Sequence, residues 1–312
     1  MDASEVDEIN KIIDQYQQEA LILQRANWKE QSGLSEYWGE FLNLFEMFVL
    51  MTTASSIRFN NKFRKETVND VALRVLIRLH AKACQAALAI SSLLQAGLAD
   101  SANVCWRSLH EINVIARFID KYTKERPEIE IAQRYLDHDI VFHYNYDCLV
   151  RRHKDQLKIE PLRTEDFRKL QEKYDDLNSP NNYGPKFKEP FGWAAPILNK
   201  RPSFEELERR VELDYWRPYY VHASMEIHTG PGSLFSRLGL KPFAFDKLLT
   251  GPSKWGLSVP ASNTAYSLLQ ITATLLLSRQ IEEHIDRLNA LKALVEEIYR
   301  VSELAEEALE VR

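Results

Sequence analysis

Arg107 and Glu111 stand four residues apart in SANVCWRSLHEINVIARFI, residues 101–119, a run that is otherwise apolar enough to form a core helix. That spacing puts both charges on one helical face. One reading is an ion pair at the rim of the core, a kind of contact that is individually weak. The other directs both charges into a polar pocket lined by a second helix. A partner helix is available in DYWRPYYVHASMEIH, residues 214–228, where Tyr220, Ser224 and His228 recur at every fourth position and so share one stripe. A phenol, a hydroxyl and an imidazole facing an Arg–Glu pair are groups that bind an anion, position a phosphodiester or exchange protons near neutral pH. The structural alternative has Tyr220 and Ser224 bridging buried backbone, with His228 capping carbonyls just before Thr229, Gly230 and Pro231.

Other chemistry-bearing residues are sparser. Asp139 and His143 are spaced to ligate a metal from one helical turn, but a third ligand would have to come from elsewhere, from Glu111 or His110. Arg151, Arg152, His153, Lys154 and Lys158 form a basic cluster that either touches RNA phosphates or is simply solvated. Tyr183, Phe187, Phe191 and Trp193 alternate with Lys186 and Lys188, a blend suited to single-stranded nucleic acid, to a protein groove, or to packing over a helical core. The sequence shows no glycine-rich phosphate loop, nucleophile elbow or zinc-binding cysteine pair, so nucleotide-binding, kinase and serine hydrolase readings have no support and no cofactor is expected.

The elements that must position these residues read as helices throughout. Apolar residues recur at helical spacing over 4–26, with Ser4 as a candidate N-cap, and again over 37–57, with a break expected at Gly33 and Ser35. Further helices are predicted over 67–95, capped by Thr67 and ended by Gly97, then over 99–126, 128–153 and 164–177. Residues 178–202 are rich in Pro, Gly and Asn and form a long insertion. Two short helices follow over 203–212 and 214–228, then an irregular stretch, then a helical region from Pro260 to the end. The expected architecture is all-α: an N-terminal helix (1–32), a multi-helix bundle (33–280) interrupted by the insertion, and a long C-terminal helical extension (281–312). In that extension Leu288, Leu291, Leu294, Ile298, Val301, Leu304 and Leu309 form a stripe. It suits either a dimerisation helix that makes a homodimer or a helix packed on its own domain.

Only 10 Gly and 12 Pro among 312 residues agree with long helices rather than a sheet with repeated turns. A net charge of -5 drawn from 40 basic and 45 acidic residues supplies no global pull toward nucleic acid or an anionic membrane. The polar first residues are unlike a signal peptide, and no apolar run is long enough to span a bilayer, so a cytoplasmic protein without a membrane partner is expected. Cys84, Cys105 and Cys148 form no C-x-x-C pair and read as reduced core residues.

Gly97-x4-Ala102-x4-Arg107-Ser108-x2-Glu111, followed by Tyr220-x3-Ser224-x3-His228, resembles a bacterial family of unknown function over roughly residues 67–278. The resemblance implies an all-helical fold in which the two helices belong to one site. It also implies a setting in antiphage defence, as helical partner or effector, and no established activity. Arg217-x4-His222 resembles in turn the Arg-x4–6-His signature of the HEPN ribonucleases, helical bundles whose dimers cleave RNA without a metal. Arg74-x5-His80 and Arg279-x4-His284 fit the same spacing, and Pro218 stands where that family usually has a polar residue. Arg217–His222 is the best placed, beside the Tyr–Ser–His stripe and with Pro218 setting Arg217 at a helix start. On this resemblance His222 or His228 would handle the ribose 2′-hydroxyl proton, Arg217 or Arg107 would stabilise phosphate charge, and Glu111 would orient one of them. The two functional classes are therefore a metal-independent endoribonuclease of defence or toxin type, and a noncatalytic interaction module. The module would bind a protein partner through the C-terminal helix or the 178–202 loop.

Overall fold

The computed structural model describes residues 3–198, 202–241, 248–279 and 281–310, without the side chains of residues 3–10 and 12. The side chain of the expected cap Ser4 and residues 199–201 of the 178–202 insertion are therefore not among what the structure describes. The fold is all-α, and no strand occurs among the described residues. The helices are α1 (Ala3–Phe63), α2 (Val71–Gln95), α3 (Ala99–Glu125), α4 (Ile131–Asp137), α5 (Asp139–Leu157), α6 (Thr164–Leu177), α7 (Phe204–Arg210), α8 (Arg217–Ile227), α9 (Ser258–Leu277) and α10 (Glu282–Glu310). Among the described residues no helix is long and apolar enough to cross a membrane.

α1 contains no break at Gly33. Glycine costs a helix about 1 kcal/mol relative to alanine, and here it makes room: a Cβ at Gly33 would stand 2.8 Å from Lys254 Nζ. That ammonium lies 5.4 Å from the centre of the Tyr37 ring, and the Trp38 indole donates to Lys254 O at 2.9 Å. The glycine is thus a packing residue inside a helix, not its punctuation. At α2 the cap is Asp70, whose Oδ1 accepts from Leu73 N at 2.8 Å, whereas the Thr67 hydroxyl donates back to Arg64 O. Gly97 ends α2 as expected. Its φ of 71° lets Gly97 N donate to Leu94 O and Leu98 N to Leu93 O, the paired bonds of a Schellman cap. The helix expected over 128–153 is divided into α4 and α5 at His138, after a short 3-10 turn at Pro127–Ile129.

Two compact units divide the chain. The first comprises residues 1–59, 80–113 and 218–312, and its core is built from Trp38, Phe41, Phe45 and Phe48 of α1, Ile90 and Leu94 of α2, Trp106 and Leu109 of α3, and the apolar faces of α9 and α10. α10 packs on α9, and along α10 Leu291, Val295, Ile298, Val301 and Leu309 are buried. Four of the seven stripe residues, Leu291, Ile298, Val301 and Leu309, are thus covered within their own unit, while Leu288 and Leu294 are half-buried and Leu304 is exposed. The second unit comprises residues 60–79 and 114–217. In it the insertion's rings are packed inward. Phe187 and Trp193 are buried, Trp193 meets Phe118 and Tyr135 edge-on, and Arg134 lies 4.2 Å from the Tyr183 ring centre.

Candidate functional site

Within the first unit, α3 and α8 bring Arg107, Glu111 and Tyr220 together. Arg107 Nη2 donates to Tyr220 Oη at 2.7 Å, and Tyr220 Oη donates in turn to Glu111 Oε1 at 2.7 Å. Arg107 Nη2 also stands 3.1 Å from Glu111 Oε1 and the guanidinium carbon 4.7 Å from the Tyr220 ring centre, so cation–π and ionic contacts reinforce one another. Tyr220 is 8% exposed, while the side chains of Arg107 and Glu111 keep 23% and 33% of their surface. The cluster is sealed at its centre and wet at its rim. Burial, then the hydrogen bond and charge of Glu111, push the Tyr220 phenol up to about 12 against the opposing pull of Arg107. At neutral pH Tyr220 is therefore a neutral phenol linking a cation to an anion, and it is no base.

The rest of the stripe does not converge on this cluster. Ser224 Oγ donates to Tyr220 O at 2.7 Å, the back-bonding habit of a serine inside a helix. His228 lies one residue past α8 and is exposed. His222 is half-buried, and its Nδ1 lies 3.4 Å from Asn103 Nδ2. Arg217, the first residue of α8, belongs to the second unit, where its Nη1 bonds Glu208 Oε2 at 2.7 Å and its Nη2 reaches Glu205 Oε2 at 3.5 Å. Glu208 is fully buried, so Arg217 serves as its counter-charge. Five residues apart on a helix, Arg217 and His222 point about 140° away from one another.

Two α3 residues that sequence reasoning missed belong to the same face. Asn103, one turn before Arg107, is 1% exposed, and its Oδ1 is buried without a hydrogen-bond partner, as is Arg107 Nε. Asp100 accepts from Leu238 N at 2.7 Å and Gly239 N at 3.4 Å and pairs with Arg237, clamping the chain after α8 onto the start of α3. The signal was legible: Asp100, Asn103, Arg107 and Glu111 follow one another at spacings of three and four on an otherwise apolar helix. On α5, Asp139 and His143 are an exposed pair at 3.1 Å, and among the described residues no group of three His, Cys, Asp or Glu could hold a metal ion. In the basic cluster Arg151 is occupied by Asp147 and by Leu162 O.

No curated protein and no solved structure matches this chain. A family model does match, over residues 73–244. The match includes α3, α8 and all seven candidate residues, and leaves α1, α9 and α10 outside. Since it spans more than half of the sequence, the chain belongs to the family of unknown function DUF5677.

Proposed function

We propose that the chain is a noncatalytic helical interaction module that works as a subunit of a larger assembly, with Arg107, Tyr220 and Glu111 locking α8 onto α3. The observation that carries this reading is the closed network: the Tyr220 hydroxyl spends its proton on Glu111 and accepts from Arg107. Arg217, which the ribonuclease resemblance would aim at phosphate, is committed to the buried carboxylate of Glu208. The test is incubation of the folded wild type with total RNA under chelator, beside Arg107→Ala, His222→Ala and His228→Ala variants checked by circular dichroism. The expected outcome is intact RNA with every variant, together with lower stability for Arg107→Ala.

One observation favours the second reading, a metal-independent endoribonuclease acting in antiphage defence. Arg107 Nε and Asn103 Oδ1 are buried without hydrogen-bond partners on the face of α3 that meets His222 of α8, and the rim of the cluster is open to solvent. A phosphodiester there would meet a cation and an imidazole, the minimum for transfer of a 2′-hydroxyl proton with charge stabilisation. Cleavage by the wild type that is lost in folded His222→Ala would establish this reading and overturn the first.

A further inference from the structure

Residues 60–79 comprise the end of α1, the turn after it and the first part of α2, and all lie in the second unit. One side of this stretch is anchored: Phe63, Leu73, Val75, Leu76 and Leu79 are buried, and Asp70 caps α2 by accepting from Leu73 N at 2.8 Å. The other side is cationic. Lys62, Arg64, Lys65 and Arg78 are exposed and Arg74 is half-buried. Five of the 40 basic residues and two of the 45 acidic ones, Glu66 and Asp70, fall here, a net of +3 in a chain whose total is -5. Among the described residues none of the five cations forms an ion pair, and Lys62 Nζ lies 5.7 Å from the Phe63 ring centre. Other exposed cations are paired within their own helix, as Lys124 is with Asp120, Lys169 with Glu165 and Arg300 with Glu297. The basic end of α5 is of that second kind: Asp147 holds Arg151, and Asp155 and Glu160 are interleaved with the rest. Like charges gathered without counter-charges repel one another, and a partner of opposite charge relieves the cost.

We propose that this face binds the phosphate backbone of a nucleic acid; the proposal rests on the interaction-module reading and names the partner. An anionic membrane is a rival polyanion, but peripheral helices enter it through apolar side chains set beside the cations. Within residues 60–79, every one of them described, Val68 is the one exposed large apolar side chain. The geometry also suits a regular polyanion better than a scatter of carboxylates on a protein. Arg74 and Arg78 stand one helical turn apart, about 6 Å along the axis, on the scale of the separation between neighbouring phosphates of one strand. Three of the five cations are arginines, whose planar fork meets phosphate oxygens with paired hydrogen bonds. Asn61 and Asn69 are exposed in the same stretch and add uncharged donors of the kind that contact phosphate and sugar. Contacts of this sort position a strand without reading its bases, so the binding is expected to be general in sequence.

Fluorescence anisotropy of the full chain with a labelled random-sequence DNA duplex, and with a labelled single-stranded RNA, tests the proposal as salt is raised. With all five cations engaged, log Kobs should fall against log salt with a slope of about -4.5 on the duplex or about -3.5 on the single strand. Lys65→Ala and Arg78→Ala, each checked for folding by circular dichroism, should each reduce the magnitude of that slope by about 0.7–0.9. Lys169→Ala, outside the face, keeps the wild-type slope. No binding of either probe by a folded wild type at low salt overturns the proposal, as does a slope that both face variants leave unchanged. Sedimentation with anionic vesicles by a chain that binds neither probe would overturn it in favour of a membrane. Each of these outcomes leaves the noncatalytic reading standing, because that reading fails on cleavage of RNA, which a gel of the same RNA mixture reads separately.

Discussion

Tyr220→Phe removes one oxygen from the centre of the α3–α8 junction and leaves the ring, its stacking with Arg107 and the 3.1 Å Arg107–Glu111 pair in place. Two hydrogen bonds to charged groups are lost, both of 2.7 Å. Bonds of that kind are worth about 1.5–3 kcal/mol each when their partners are left stranded. Here the partners retain each other and reach solvent at the rim, so water recovers part of the loss and the net cost should be about 1–2 kcal/mol. Tyr220→Ala also loses the buried ring and opens a cavity, which for an aromatic side chain costs about 3–5 kcal/mol. Urea unfolding followed by circular dichroism compares the two through their midpoints at equal slope. The ordering wild type, Phe, Ala, with the Phe variant clearly below wild type, is the expected result. A Phe variant as stable as wild type would show that the hydroxyl locks nothing. If such a variant also lost an activity of the wild type, the closed network would have been misread as structure.

Arg217→Ala strips the buried Glu208 of its counter-charge and should cost about 3 kcal/mol, with partial recovery in Arg217→Lys; a variant that melts like wild type would return Arg217 to the list of candidate phosphate ligands. His80 is fully buried, and burial lowers it from 6.5 to about 4, so its neutral form stabilises the fold above 6.5 and that stability is lost as pH falls from 6.5 through 4. The loss is on the order of 3 kcal/mol, and thermal melts of His80→Asn across this window should show a shallower decline than wild type. Tyr220 and Tyr183 are both pushed up to about 12; their contribution is complete below pH 10 and disappears as pH rises from 10 through 12. Alkaline unfolding midpoints should therefore fall less steeply in Tyr220→Phe and Tyr183→Phe, and equal slopes would refute the assignment.

The sequence disclosed helices wherever apolar periodicity was strong and the terminating residue had a steric reason to stop the chain. Gly97 is such a residue, because its positive φ is needed for the paired bonds that end α2. Gly33 looks the same in sequence but serves a different end, making room for a lysine some 220 positions away, and no local rule distinguishes the two. Burial of the terminal stripes was illegible for a similar reason. Residues 13–23 and 291–309 carry comparable apolar spacing, yet most of the second stripe is buried in the fold and every described side chain of the first is exposed. At the candidate site, Arg107, Glu111 and Tyr220 could be paired from sequence because both stripes were periodic. Arg217 and His222 could be paired only by motif spacing, and the helix that joins them turns them to different faces.

α3 carries a second polar seam on another face, and the two together explain why so apolar a helix tolerates so many polar groups. Trp106 Nε1 donates to Asn263 O and Ser267 Oγ, both at 3.0 Å, and Asn113 Nδ2 donates to Gln270 Oε1 at 2.7 Å. Leucines at these positions would bury as much area and permit several registers against α9. The polar groups permit one, since a shift by a single residue would strand each donor at about 1–3 kcal/mol apiece. The α3–α8 lock lies wholly inside the family-matched stretch, whereas the α9 partners lie beyond its end. Fixing α3 in rotation from both sides determines where α8 presents His222 and where the chain leaves α8 at His228. The lock accordingly governs the surface around His222, and a Tyr220→Phe variant bears on the placement of that surface as well as on stability.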